Sequence, residues 1–265
     1  MLKILFIGDI SGSVGRDTIK KVLPKIKNEK SPDLIIANIE NAAGGVGVTR
    51  EVIEEMASAG IDLFTSGDHT FGIREFVEEL TPELPFVRPA NYEAKSMPGV
   101  GYKVLDLGEK GRVAVINILG QELFSFNNRV RSPFWFIDEL LEIPEIKEAD
   151  IRFIDFHAET TSEKLSFAWY VRDRVEAVVG THTHVATADN RILDNKVAYV
   201  TDAGQVGPYL ASLWVDFENV VHNFKYPNRK PFILAEKGPK IFNSVLISFK
   251  NFSPVAIERV DVVLE

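Results

Sequence analysis

The feature that most constrains this fold is a recurrence: short apolar runs alternate with helical patterns along most of the chain. The runs are Lys3–Ile7, Leu34–Ala37, Leu63–Thr65, Val113–Ile118, Arg152–Phe156, Ala177–Val179 and Val197–Val200. Several are continuously apolar, as expected of strands buried on both faces. Between them the apolar spacing predicts helices over Asp17–Asn28, Arg50–Ala59, Ile73–Leu80, Trp135–Ile146 and Ser162–Arg172. Pro24 falls inside the first of these and is expected to kink or break it. Thr160 and Glu163 have the spacing of a capping box for the last. The tail reads differently. Ser244–Lys250 and Ala256–Val263 alternate, with a hairpin turn at Asn251-Phe252-Ser253-Pro254, so antiparallel strands should join parallel ones in a layered, mixed-sheet α/β domain.

With no internal repeat, low-complexity tract or Pro/Ser linker, the 265 residues read as one domain over 1–265. The stretch 121–136 is the irregular part. It carries Phe124, Phe126, Phe134, Trp135 and Phe136 with weak periodicity, which suggests a cap on the main body or, more sharply, a contact in a homo-oligomer.

Composition removes whole classes of function. A formal net charge of −8 argues against non-specific nucleic-acid or membrane binding through a basic face, while leaving room for a phosphorylated substrate if cations reverse the local field. The first apolar run is too short for a signal peptide or a membrane span, so the expectation is a cytoplasmic protein. With no cysteine there is no disulfide, thiolate metal site or cysteine nucleophile, and any metal must be held by nitrogen and oxygen.

Polar residues cluster where the apolar runs end. Gly8-Asp9 follows the first, Asn38-Ile39-Glu40-Asn41 the second and Ser66-Gly67-Asp68-His69 the third. Asp155-Phe156-His157 closes a later run, and Gly180-Thr181-His182-Thr183-His184 the next. Ligands of α/β sheets bind at such carboxyl ends. Singly, Asp9 could be a turn residue and His157 a satisfied core histidine. Jointly they are hard to explain by packing, since four of the five histidines lie in these motifs and only His222 reads as an ordinary helix or surface residue. In an extended segment the imidazoles of His182 and His184 would point the same way.

Carboxylate, amide and imidazole donors suit Mn, Fe(II) or Zn. Asp9, Glu40, Asn41, Asp68, His157, His182 and His184 are too many for one ion, whereas two ions sharing a bridging carboxylate would use them all. Other templates fail. The glycines of 8–15 do not have dinucleotide-loop spacing, and neither a G-x-x-x-x-G-K-[ST] loop nor a G-x-S-x-G elbow occurs.

The segments GDISGSVGR (8–16), NIENAAGGVGVT (38–49), SGDHTF (66–71), RPANY (88–92), DFHAETTSEK (155–164), GTHTHVATAD (180–189) and TDAGQVGPY (201–209) together resemble the YmdB-type branch of the calcineurin-like metallophosphoesterases, over nearly the whole chain. The resemblance implies a four-layer α/β/β/α sandwich with mixed sheets, two divalent ions (Fe or Mn, with Zn as an alternative) and hydrolysis of 2′,3′-cyclic nucleotides or related small phosphodiesters. By matching position, Asp9, Glu40, Asn41 and His184 would hold one ion. Glu40, Asp68, His157 and His182 would hold the other, with Glu40 bridging. His69 would be the catalytic histidine near the phosphate. The chain departs from the family at Asp68, where Asn is usual, which adds a negative charge beside an anionic substrate. A hydroxide bridging the two ions would be the nucleophile, His69 could give a proton to the leaving group, and Arg16 and Arg88 could reach the phosphate. Two other readings stand beside this one: a non-catalytic, metal-stabilised regulatory or RNA-associated scaffold, and a dinuclear hydrolase of another bond such as an amide.

Overall fold

The computed structural model describes residues 1–93, 97–122 and 130–265. In chain order the elements are β1 (Leu2–Ile7), β2 (Asp9–Ile10), α1 (Gly12–Lys30), β3 (Leu34–Asn38), α2 (Arg50–Ser58), β4 (Leu63–Thr65), α3 (Arg74–Glu79), β5 (Tyr102–Asp106) and β6 (Arg112–Leu119). There follow α4 (Pro133–Leu140), α5 (Pro144–Lys147), β7 (Ile151–His157), α6 (Thr161–Val171), β8 (Ala177–Thr181), β9 (Arg191–Leu193), β10 (Val197–Val200) and β11 (Gln205–Pro208). The chain ends with α7 (Phe217–Lys225), β12 (Lys240–Phe242), β13 (Ser244–Lys250), β14 (Ser253–Arg259) and β15 (Val262–Leu264).

Two sheets carry the core. One has the order β14-β13-β1-β3-β4 and the other β5-β6-β7-β8-β10-β9. Both are mixed: β1, β3 and β4 run parallel, with β13 antiparallel beside β1 and β14 antiparallel to β13 at the edge, while β6, β7, β8 and β10 are parallel between antiparallel β5 and β9. The continuous apolar runs follow from burial on both faces. Leu2, Ile4 and Phe6 of β1 pack with Val113, Val115, Phe153 and Val179 of the other sheet, and Phe6 stacks on Phe153 at 5.6 Å between ring centres. Leu5 and Ile7 face the other way, against Ile19, Val22 and Leu23 of α1 and Ile53 and Met56 of α2. The second sheet likewise turns Ile116, Ile154, Phe156 and Val178 toward Ile137 of α4 and Phe167 and Val171 of α6. The packing order is therefore helices, sheet, sheet, helices. A third, smaller sheet, β15-β12-β11-β2, brings Asp9 into register with Gln205.

The structure corrects several local expectations. Pro24 does not break α1: Pro24 and Lys20, four residues earlier, both lie on the water-facing side, where water can satisfy the carbonyl that loses its bond. The helix expected over Trp135–Ile146 is two, because Pro144 pushes Ile143 to ψ 125 and ends the first. The Thr160–Glu163 capping box does not form. Thr160 makes no side-chain cap bond, and the Glu163 carboxylate accepts the N–H groups of Gln121 and Glu122 instead, at 2.8 and 3.2 Å. The hairpin turn is tighter than expected: Asn251 and Phe252, at φ 49 and 64, turn the chain alone, and Val262–Leu264 leaves to pair with β12. Of the aromatic stretch 121–136, residues 123–129 lie outside the described residues. Its end packs on the body, with Phe134 edge-on to Phe167 and Tyr170, while Trp135 is exposed. Among the described residues no helix is long and apolar enough to cross a membrane.

Candidate metal centre

The strand ends that the sequence sets apart come from both sheets and meet at one edge. Gly8-Asp9 after β1, Glu40 and Asn41 after β3, and Asp68 and His69 after β4 belong to the first sheet; His157 at the end of β7, and His182 and His184 after β8, belong to the second. One ligand atom from each of Glu40, Asp68, His157 and His182 falls within 4.8 Å of all the others, and the same holds for Asp9, Glu40 and His184. Glu40 is in both groups. His157 Nε2 lies 3.1 Å from Asp68 Oδ1, 3.3 Å from Glu40 Oε1 and 3.0 Å from His182 Nδ1. His69 stands beside them, its Nδ1 3.3 Å from Glu40 Oε1 and 3.4 Å from Asn41 Nδ2.

The donors fit divalent ions. Asp9 Oδ1 and Asn41 Oδ1 are buried with no hydrogen-bond partner among the described residues, as ligand oxygens would be. The Asn41 amide nitrogen is tied to the Gly45 carbonyl at 3.0 Å, which fixes the oxygen as its free end. Gly67 completes the cradle: a Cβ there would overlap Glu40 Oε2 and His157 Nε2. Gly67→Ala is therefore expected to weaken metal binding by at least the roughly 10–100-fold that altered ligand support costs, read by titration of the stripped variant with Mn²⁺. Unchanged affinity would show that Gly67 does not border the ions.

Neighbouring side chains orient the imidazoles. Thr181 Oγ1 donates to Asp155 Oδ1 at 2.6 Å, so it accepts from His157 Nδ1 at 2.9 Å and leaves Nε2 for the cluster. Asn38 Nδ2 donates to Asp155 Oδ2 at 3.0 Å. Gln205 gives its amide N–H groups to the Pro208 and Leu213 carbonyls, so its oxygen accepts from His184 Nδ1 at 3.2 Å. His182 Nε2 lies 2.9 Å from Glu159 Oε2, and Asp9 Oδ2 accepts the His182 N–H at 3.3 Å. Asp155, Thr181 and Gln205 stand in the motifs read from the sequence, but their role of orienting the imidazoles was not among its expectations. A buried acid inside the apolar run ending at His157 was the available signal.

The His-x-His segment is not extended. His182 and His184 have φ 96 and 63, and this bend sends them to different ligand groups instead of one face.

Burial pushes the Asp9 carboxyl well above the usual carboxylate range, against the nearby His157 charge. Burial also raises Glu40 and Asp68, but the charge on His157 and the imidazole hydrogen bonds overcome it and hold both below their ordinary values. His157 is pulled down by burial and up by Glu40, Asp68 and Asp9, which prevail and leave it well above a free imidazole. The Glu40 hydrogen bond raises His69, whereas burial lowers His184 and pushes Asp155 up to about 6.

Two sequence candidates are engaged elsewhere. Arg16 Nε is 2.9 Å from Glu55 Oε2, and its Nη1 donates to the Ala42 carbonyl. Arg88 donates to the Pro98, Pro89 and Met97 carbonyls, so it ties down its own loop. His222, on α7, is remote from these motifs in sequence, and its Nε2 donates to the Asn228 carbonyl at 3.3 Å at an exposed site.

The sequence model of the YmdB-like protein family matches residues 5–260. The chain belongs to the YmdB-like family. Among the relatives of this YmdB-like chain is the 2′,3′-cyclic-nucleotide 2′-phosphodiesterase of Bacillus subtilis (strain 168), 41% identical over 261 residues that span 98% of this chain and 96% of that protein. The crystal structure of a novel phosphatase from Mycoplasma pneumoniae superposes with a TM-score of 0.91 at 31% identity, covering 99% of this chain and 93% of that one. The fold extends to the calcineurin-like phosphoesterase YfkN of Bacillus subtilis, at a TM-score of 0.55 and 12% identity over 99% of this chain and 90% of that one. The YmdB-like chain thus has the calcineurin-like phosphoesterase fold, and it is a hydrolase.

Proposed function

We propose that the chain is a dinuclear metal-dependent phosphodiesterase that opens 2′,3′-cyclic nucleotides. The observation that carries this reading is the pair of ligand groups sharing Glu40. Asp9, Glu40, Asn41 and His184 would hold one ion and Glu40, Asp68, His157 and His182 the other, with manganese or iron the best match to the donors and zinc next. Bound there, two divalent ions supply an activated water and positive charge on the phosphate oxygens. The substrate class comes from the Bacillus subtilis relative, which is named for the 2′ bond of such nucleotides.

The chain's own residues then do the rest. Of the four clustered histidines, His69 has the most exposed side chain, at 37%, against 20% for His182 and less for the buried pair, so it is the one a substrate meets. As the P–O2′ bond breaks and water adds to phosphorus, His69 delivers a proton to the departing ribose oxygen, a role worth about 10²–10⁴ in rate. Asp68 adds a negative charge beside the phosphate and keeps an oxygen 3.1 Å from His157 Nε2.

The test is hydrolysis of 2′,3′-cyclic AMP by chelator-stripped protein with and without Mn²⁺, beside His182→Ala. Turnover is expected only with metal, and the variant is expected to fall by about 10²-fold or more. Restored metal without turnover would instead favour the regulatory scaffold, with ions kept for structure alone.

A further inference from the structure

Lys164 is a cation sealed from water. It stands on α6, is fully buried, and donates from Nζ to the Thr181 carbonyl at 2.7 Å and to Asp202 Oδ2 at 2.8 Å. Asp202 is fully buried as well. Its Oδ2 also accepts the Thr183 N–H at 3.0 Å and the Thr183 hydroxyl at 2.8 Å, and its Oδ1 accepts the Gly204 N–H at 2.8 Å. The pair thus grips Thr181 and Thr183, the two neighbours of His182, and Thr183 in turn precedes His184. Gly180 makes the close approach feasible: a Cβ there would overlap the Thr201 carbonyl and lie 3.2 Å from Lys164 Cδ.

Stability does not account for such a pair, because apolar side chains of similar volume fill a core without the cost of stripping two charges of water. Local geometry does. The positive φ of His182 and His184 is a strained arrangement for residues with side chains, and it persists only where the surroundings over-determine it. We infer that Lys164 and Asp202 are a positioning pair that locks the bend at 181–184, so that His182 and His184 enter different ligand groups while Thr181 stays aligned on His157. The inference rests on the two-ion reading of the site.

The test compares wild-type protein with Lys164→Met/Asp202→Asn, which removes both charges together, and Thr183→Val, which removes one hydroxyl donor and keeps the pair. Each is stripped, titrated with Mn²⁺ by calorimetry, examined by EPR for the spectrum of two coupled Mn²⁺ ions, and melted by circular dichroism. Wild type is expected to bind two ions and show the coupled spectrum. The double variant is expected to melt near wild type yet bind at least one ion about 10–100-fold more weakly, with the coupled spectrum replaced by that of isolated Mn²⁺. Thr183→Val is expected to shift in the same direction by a smaller factor. Two ions bound with wild-type affinity and coupling in the double variant would overturn the inference. If that variant does not fold, unchanged affinity and coupling in Thr183→Val would overturn it instead. Fewer than two ions in wild type would overturn the two-ion reading itself, before any substitution is made.

Discussion

Glu40→Gln is expected to lower kcat/KM on 2′,3′-cyclic AMP by about 10³-fold or more, equivalent to roughly 4 kcal/mol of transition-state stabilisation. The substitution keeps the volume of a side chain that is 1% exposed, so packing is preserved. What disappears is the anion common to both ligand groups. Glu40 Oε1 sits 3.3 Å from both His157 Nε2 and His69 Nδ1, and Oε2 accepts the His69 N–H at 3.2 Å. An amide there turns one acceptor into a donor aimed at those imidazoles and leaves each group one carboxylate short. Metal content by mass spectrometry should fall with the rate, while the far-ultraviolet circular dichroism stays unchanged. Turnover within tenfold of wild type would refute the shared role of Glu40.

Stripping the protein with a chelator is expected to lower its melting temperature by on the order of 10 °C, and Mn²⁺ should restore it. Asp9, Glu40, Asp155 and Asp202 are fully or almost fully buried at this edge, and Asp68 lies close by. The mutual repulsion of buried carboxylates is part of what drives Asp9 upward. Divalent charge would relieve it. A ligand held at about 1,000 times its Kd stabilises by about 4 kcal/mol, and a chain somewhat above 250 residues gains roughly 2–4 °C per kcal/mol. The measurement is a thermal melt of stripped and reloaded protein at fixed pH. Coincident curves would mean that these residues bind no ion tightly.

Much of the site was legible because its chemistry is written in short blocks. Asp9, Glu40, Asn41, Asp68 and His69 each follow an apolar run of the first sheet within four residues, where the sequence places them at strand ends. Arg16 and Arg88 became candidates for the same reason, a cation near a motif looking poised for phosphate, and the structure engages them with Glu55 and a set of backbone carbonyls. Lys164 and Asp202 each lie in a quoted motif, but nothing in the sequence says that they pair. Their pairing joins α6 to the segment after β10 across 38 residues, and no local spacing encodes it.

The sequence by itself determined the central strands and most of the helices beside them, that those central strands are buried on both faces, and that oxygen and imidazole donors gather at strand ends. Those properties are local: periodicity, apolar continuity and residue type act over a few residues. Only the tertiary structure decided that β1, β3 and β4 lie in one sheet and β7 and β8 in another, so that the donors converge from two layers. It also decided how His182 and His184 part company, as the family resemblance implies they should: their backbone is bent by contacts with residues distant in the chain. Long-range packing sets those angles, and a single sequence carries no record of which distant residues will meet.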